Sequence, residues 1–243
     1  MELEPIHTGI LGVNTYIVPL AGQAVLIVDP ACSELTGDEN ILIDYLNEKN
    51  LVAVGILLTH GHFDHVAGLS ILKKKWPELC IAIHKDDAEC IGLSSAITQE
   101  KFLGRMGQGA MELLQSVSNL PEPDVLLSDG MMLDKVITPE MIVAAFNGSD
   151  NAPDVEAVTN ALSHWKVYHT PGHSKGCVCY FNDAEKVLIS GDTIFYGTYG
   201  RTDLYGGDEI TIKKSICRIT ETLPKEVKVY PGHDMYGFEL EKM

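Results

Sequence analysis

"LLTHGHFDHVAG", from Leu57 to Gly68, sets three histidines and an aspartate within six residues, directly after the apolar run that starts at Leu51. Imidazole nitrogen together with carboxylate oxygen suits Zn²⁺, with Fe or Mn as alternatives. Side chains alternate along an extended loop, so His60, His62 and Asp64 are expected to share a side, with His65 following at a turn into a helix. Alternate residues can converge on one ion while Asp64 and His65 reach a second. The spacing differs from the helical H-E-x-x-H arrangement, in which ligands sit at i and i+4. Three of the chain's nine histidines fall here, too dense a cluster for an incidental polar turn.

One loop cannot complete a two-ion site, and the missing ligands belong at other strand ends. His173 in "HTPGHS", Asp192 in "LISGDTIF" and His233 in "VYPGHD" fit. Each follows a β-like run and stands beside a glycine that lets the chain turn sharply. Pro171 and Pro231 stiffen two of these turns. Asp192 is the natural bridge, because a carboxylate has one oxygen for each ion.

Between these motifs the chain alternates strand and helix. Strands are expected at Asn14–Val18 and Ala24–Asp29, joined by a hairpin, and at Leu51–His60 and Cys80–His84. Helices are expected over Asp38–Asn50 and Val66–Trp76. "KDDAECIGL" reads as a short helix, and about Ile97 to Ser118 as helical, weakened by Gly104, Gly107 and Gly109. A short strand is expected within "PEPDVLLSDGMML", a strand at Met141–Phe146, and a helix from Asp154. Strands follow at Cys177–Phe181 and Lys186–Asp192, then a helix around Glu209–Leu223 and a last strand before His233. Layered sheets with helices outside accommodate this order.

The chain has 243 residues, 45% of them apolar, and no evident linker, so one domain over residues 1–243 is expected. Asp and Glu outnumber Lys and Arg by 34 to 18, a formal charge of −16, which repels phosphate backbones and argues against a nucleic-acid partner. No apolar run approaches the ~20 residues of a membrane span. The acidic start "MELEPIHTGI" has no apolar leader region, so a cytoplasmic protein without a membrane partner is expected. Cys32, Cys80, Cys90, Cys177, Cys179 and Cys217 form no C-x-x-C pair and read as reduced, mostly buried thiols.

Taken in order, "THGHFDH", "HTPGHS", "SGDTIF" and "PGHD" resemble the metallo-β-lactamase superfamily over about Gly12 to Asp234. "GDTIFYGTYGRTDLYGGD" (Gly191–Asp208) is most similar to its hydroxyacylglutathione hydrolase (glyoxalase II) group, especially the short single-domain forms. The resemblance implies an α/β fold, a four-layer αββα sandwich of two mixed sheets with the site at one edge. It assigns His60, His62 and His173 to a first metal and Asp64, His65 and His233 to a second, with Asp192 bridging. The implied activity is hydrolysis of a thioester or ester carbonyl by a metal-bridging hydroxide, with two divalent ions, Zn first, as cofactors. Asp64 is then the candidate proton acceptor, or a ligand only. A lactonase and a mononuclear iron persulfide dioxygenase are the alternatives on the same scaffold. A Cys in place of Asp192 is typical of lactamases, which disfavours lactam hydrolysis.

Asp29, ending a strand in "IVDP", is expected to support the ligand loop by hydrogen bonding. Arg201 stands where relatives carry a substrate-contacting basic residue; pairing with Asp203 or Asp208 is the competing expectation. Tyr205, with Tyr196 and Tyr199, is a candidate to line the substrate pocket. His7, His84, His164 and His169 match no ligand position and are expected to be structural or solvated. Full-length glyoxalase II enzymes continue into a glutathione-binding helical domain, whereas ten residues follow His233 here. The acidic excursion at about Asp134–Leu162 is longer than the usual connection, and reads as inert or as an oligomer contact rather than a lid.

Overall fold

A computed structural model describes residues 1–103, 110–149 and 152–243. The chain opens with β1 (Pro5–Thr8), β2 (Val13–Pro19) and β3 (Ala24–Val28), followed by α1 (Ile41–Glu48) and β4 (Val52–Leu57). Next come α2 (Phe63–Val66), α3 (Leu69–Lys75), β5 (Ile81–His84), a 3₁₀ turn at Lys85–Cys90, α4 (Ser95–Leu103), α5 (Ala110–Ser116) and β6 (Val125–Leu127). The second half holds α6 (Pro139–Ala145), α7 (Val155–Leu162), β7 (Trp165–His169), β8 (Val178–Asn182) and β9 (Val187–Gly191). It closes with the small hairpin β10 (Ile194–Phe195) and β11 (Thr198–Tyr199), then α8 (Glu209–Thr222), β12 (Lys228–Pro231) and β13 (Phe238–Glu239).

Two large mixed sheets result. One runs β1-β2-β3-β4-β5-β6, antiparallel through its first three strands and parallel thereafter. The other runs β13-β12-β9-β8-β7, with β12 and β9 its parallel pair. Strands β3 and β9 are buried along their whole length, as expected of strands covered on both faces.

Three apolar clusters define the layers. Tyr16, Leu26, Val54 and Leu57 meet Trp165, Val167, Tyr180 and Ile189 between the two sheets. Val25, Ile27, Ile56 and Ile81 on the opposite face of the first sheet pack on Leu42, Leu46, Leu69 and Leu72 of α1 and α3. Cys179, Leu188 and Val229 of the second sheet pack on Ile212, Ile216 and Ile219 of α8. This is the expected αββα sandwich.

Several local expectations need correcting. Met141–Phe146 is no strand: Pro139–Ala145 is α6, started by Thr138, whose hydroxyl accepts from the Met141 N–H, with Pro139 in the first turn. Asp64 does not continue an extended alternation, because Phe63–Val66 is already a helical turn with His62 at its N-cap. The helix expected from Asp38 begins at Ile41, with Asn40 at its N-cap position, and Asp38 instead accepts from the Gly9 and Ser33 N–H groups. The weakening glycines 104, 107 and 109, and residues 150–151 of the acidic excursion, lie outside the described residues. The described part of that excursion holds a 3₁₀ turn, α6 and α7, and Ile142, Phe146, Val158 and Leu162 enter the core between the sheets.

Candidate metal centre

All seven candidate ligands sit just beyond strand ends: His60 to His65 after β4, His173 after β7, Asp192 directly after β9 and His233 after β12. The parallel register sets Pro231 of β12 against Gly191 of β9, so the turns carrying Asp192 and His233 are neighbours. Hydrogen bonds stitch the two sheets at this edge. Asn14 N donates to Gly232 O and Val178 N to Thr59 O, and within the second sheet Gly232 N donates to Gly191 O. The Tyr180 hydroxyl donates to Leu58 O across the sandwich. Only a bare glycine fits at 232, where a Cβ would come 2.3 Å from Asp192 Oδ1 and 2.7 Å from His65 Cε1.

The seven side chains form two groups of donors. His60, His62 and His173 bring one nitrogen each within 4.8 Å of one another. In the second group, Asp64 Oδ2 lies 3.5 Å from His65 Nε2 and 3.2 Å from His233 Nε2, and the two nitrogens are 3.3 Å apart. A tetrahedral ion with bonds of ~2.0–2.1 Å requires ligand separations of about 3.3–3.4 Å, so this triangle has the right size. Asp192 reaches both groups. Its Oδ2 is 3.5 Å from His173 Nε2 and 3.7 Å from His233 Nε2, and its Oδ1 is 3.5 Å from His65 Nε2.

The outer nitrogens of three of these rings are already engaged. His173 Nδ1 donates to the carbonyl oxygen of Arg201 at 2.7 Å, which leaves Nε2 with a bare lone pair. Asp29 Oδ2 takes the Nδ1 proton of His65 at 3.0 Å and the Thr59 hydroxyl proton at 2.6 Å. Thr59 Oγ1, having given its proton to Asp29, accepts from His60 Nδ1 at 3.0 Å. One carboxylate thereby orients two ligands, one of them through a threonine, and Thr59 gains the supporting place that its position alone did not assign.

Burial and charge point the same way. His60 and His62 are held well below the usual histidine range, first by burial and then by neighbouring imidazoles, so they are neutral donors. Burial alone would lower His65 too, but Asp64, Asp192 and Asp29 lift it to about 10. Asp64 is held below the usual carboxylate range, against its burial, by His65 and His233. The pit thus rewards positive charge. His60 Nε2, His62 Nε2, His173 Nε2 and Asp192 Oδ1 are buried without a hydrogen-bond partner. Buried donor atoms left without hydrogen bonds are costly unless a cation satisfies them. The donor set therefore fits a pair of divalent ions.

Asp87, which its sequence context gives no reason to single out, ties the two ligand loops together. Its carboxylate accepts from Gly61 N between His60 and His62, and from Ser174 Oγ and Gly176 N just after His173. Burial raises its pKa, and these three bonds oppose the rise. The remaining candidates lie further out. Arg201 is exposed and paired bidentately with Asp203 at 2.8 Å through both Nε and Nη2, the competing expectation for it. Tyr205 faces Phe102, whose ring edge meets the His62 ring. Tyr196 packs against Phe238, and Tyr199 hydrogen bonds to Glu209, so neither joins Tyr205.

His84, Asp86 and His169 form another compact group. The two rings stack 3.9 Å apart at 13°, so their in-plane lone pairs run side by side and do not converge. His84 Nδ1 accepts from the Asp86 N–H, and His169 Nε2 bonds to Lys175 O. These contacts agree with a structural role. All six cysteines are free, and all but Cys217 are buried.

Residues 8–233 match the model of the family described as the metallo-beta-lactamase superfamily. A Bacillus subtilis protein named probable metallo-hydrolase YqgX is 28% identical over 96% of this chain and 90% of its own length. A Pelagibacter ubique hydroxyacylglutathione hydrolase is 25% identical over 96% of this chain and 71% of its own. Among solved structures, the BLEG-1 B3 metallo-beta-lactamase superposes with a TM-score of 0.74 at 25% identity, covering 99% of this chain and 95% of that one. TTHA1623 in a di-iron-bound form gives 0.68 at 26% identity, covering 98% and 94%. No helix among the described residues is long and apolar enough to cross a membrane.

Proposed function

This chain belongs to the metallo-beta-lactamase superfamily, and on that premise we propose that it is a dinuclear metal-dependent hydrolase of a small thioester or ester, of the hydroxyacylglutathione hydrolase kind. One observation carries the reading: two donor groups built from seven strand-end residues share Asp192, and four of their buried donor atoms have no hydrogen-bond partner. The hydroxyacylglutathione hydrolase relative and the di-iron form of a similar structure support the reaction class and the ion count. Zinc is our first assignment for the metal, with iron next.

The ions would be held by His60, His62 and His173 on one side, and by Asp64, His65 and His233 on the other, with Asp192 between. When bound, they supply Lewis acidity, which brings the pKa of a water toward ~7 and polarises a carbonyl oxygen. The protein's own part is preorganisation. Asp29, Thr59 and the Arg201 carbonyl fix three imidazole tautomers so that each Nε2 lone pair points inward. Asp87 holds the two loops at a fixed distance. The Asp64 carboxylate would take up the proton that water releases as its oxygen adds to the carbonyl, and pass it to the sulfur as the C–S bond breaks, so that the acyl group leaves as acid and the thiolate as thiol. Residues 1–243 act as one catalytic domain in this reading.

The test is turnover of S-D-lactoylglutathione, simpler thioesters, a lactone and a β-lactam by protein whose metal content has been measured. We expect two ions per chain, thioester hydrolysis above lactone and lactam, and a loss of more than about 100-fold in His60→Ala. Folded, metal-loaded protein that leaves every thioester and ester intact would sink the proposal. One iron per chain with oxygen uptake on a persulfide would replace it with the dioxygenase reading.

A further inference from the structure

Two buried carboxamides, Asn14 of β2 and Gln99 of α4, hold the turns that carry the candidate ligands. Asn14 Nδ2 donates to Pro231 O at 3.0 Å and to Asp234 O at 3.2 Å. Its backbone N–H donates to Gly232 O at 2.7 Å. Carbonyls on both sides of His233 are thus tied to one strand of the opposite sheet. Asp234, with a left-handed φ of 61°, has its carbonyl pinned in this way. Gln99 Nε2 donates to Gly61 O and to Cys90 O, both at 2.8 Å. Gly61 lies between His60 and His62, and its N–H is held by Asp87. Cys90 closes that side, for a Cβ on Gly61 would lie 2.3 Å from the Cys90 Cβ. The helix that carries Gln99 also sets Phe102 against the His62 ring.

Every side-chain partner of the two amides is a carbonyl oxygen, which only accepts. The atom facing them is therefore the amide nitrogen, with both of its protons engaged. The amide oxygens, Asn14 Oδ1 and Gln99 Oε1, are buried without a hydrogen-bond partner. An unmatched buried acceptor costs stability, whereas the paired N–H groups fix backbone beside a ligand. That backbone matters because a peptide unit is planar. The Gly61 carbonyl lies in the plane that leads into His62, and the Gly232 carbonyl in the plane that leads into His233. Holding such an oxygen sets the direction in which the next Cα, and its imidazole, leaves the turn.

We propose that Gln99 and Asn14 are positioning residues for the metal pair. Gln99 serves the ion of His60, His62 and His173, and Asn14 serves the ion of Asp64, His65 and His233. Each acts through a peptide plane and is not itself a ligand. This rests on the two-ion reading above and is independent of which ester or thioester is cleaved.

The test is a crossover on two single-ion proteins, with zinc affinity measured by competition against a chromogenic chelator. His233→Ala leaves the first donor group intact, and His62→Ala leaves the second. Gln99→Met keeps the side-chain length and removes both donors. It should weaken zinc about tenfold or more in the His233→Ala protein, and by no more than about twofold in the His62→Ala protein. Asn14→Leu should do the reverse. With cobalt in place of zinc, the visible absorption band should shift in the matching pairs alone. Equal losses in both backgrounds overturn the assignment, because general loosening of the fold produces them, and so does no loss in either. Where Met or Leu prevents folding, Gln99→Glu and Asn14→Asp keep the shape without the amide protons and are judged by the same outcomes. If these also fail to fold, the amides serve folding and the positioning role is overturned. Wild type that binds no metal overturns the two-ion reading and the positioning role together. Wild type that binds two ions without the crossover overturns the positioning role alone.

Discussion

Asp29 holds a left-handed backbone conformation, φ 53°, that residues other than glycine seldom adopt. What keeps it there is visible in its partners: the Thr59 N–H, the Thr59 hydroxyl and His65 Nδ1 all donate to its carboxylate. Asp29→Ala removes the acceptor for all three. Zinc affinity, measured by competition with a chromogenic chelator, should fall about 10–100-fold. The metal-free protein should also lose about 1–3 kcal/mol in urea unfolding, because buried donors are left unpaired. Unchanged zinc affinity would show that Asp29 does not orient the ligands. At this scale the sequence was informative wherever chemistry resides in residue identity. Clustered histidines announce their function, and a strand-end aspartate beside them invites a supporting role. Asp87 was not legible, because its importance comes from which three backbone and hydroxyl donors the folded chain brings to it.

His84 ends β5 and His169 ends β7, so their stacked rings join the two sheets. Burial, then the neighbouring His169, lowers the His84 pKa from 6.5 to about 4; Asp86 and Asp129 oppose this and Lys85 adds to it. The folded state thus binds fewer protons here than the unfolded one. The His84 contribution to stability is fully present above pH ~6.5 and is lost as the pH falls toward ~4. His84→Gln removes this component. Between pH 7 and pH 4.5, the urea midpoint of the metal-free variant should fall less than that of wild type, and equal falls would refute the assignment. Elements were legible where periodicity and punctuation agreed, as in α8, β4 and β9. Met141–Phe146 was misread because a short apolar run suits strand or helix alike. Thr138 and Pro139, a cap and a first-turn proline, carried the deciding signal.

Across the whole molecule, the candidate ligands come from the ends of strands in both sheets, so an ion held by them is a cross-link that only the folded chain offers. Removing metal should lower the melting temperature, and adding zinc back should raise stability by about 2.7 kcal/mol at a hundredfold excess over Kd. A melting temperature indifferent to chelator and to zinc would contradict this. Layered sheets with helices outside were legible from the alternation of strand and helix, while the four-layer order with the site at one edge came from the resemblance to the superfamily. The course of the acidic excursion was not legible. Its four core residues, Ile142, Phe146, Val158 and Leu162, enter the space between the sheets only once both sheets exist.

Asp192 leans toward His173 and His233 with one oxygen and toward His65 with the other. A carboxylate shared in this way makes the two binding equilibria reciprocal. If each side holds an ion, as proposed, either one would fix the rotamer that the other side needs, and the second would bind to a centre already ordered by the first. By linkage, the benefit is equal in both directions, typically 1–3 kcal/mol. The affinities of the two positions then cannot be tuned separately, and a change aimed at one ion is felt by its neighbour.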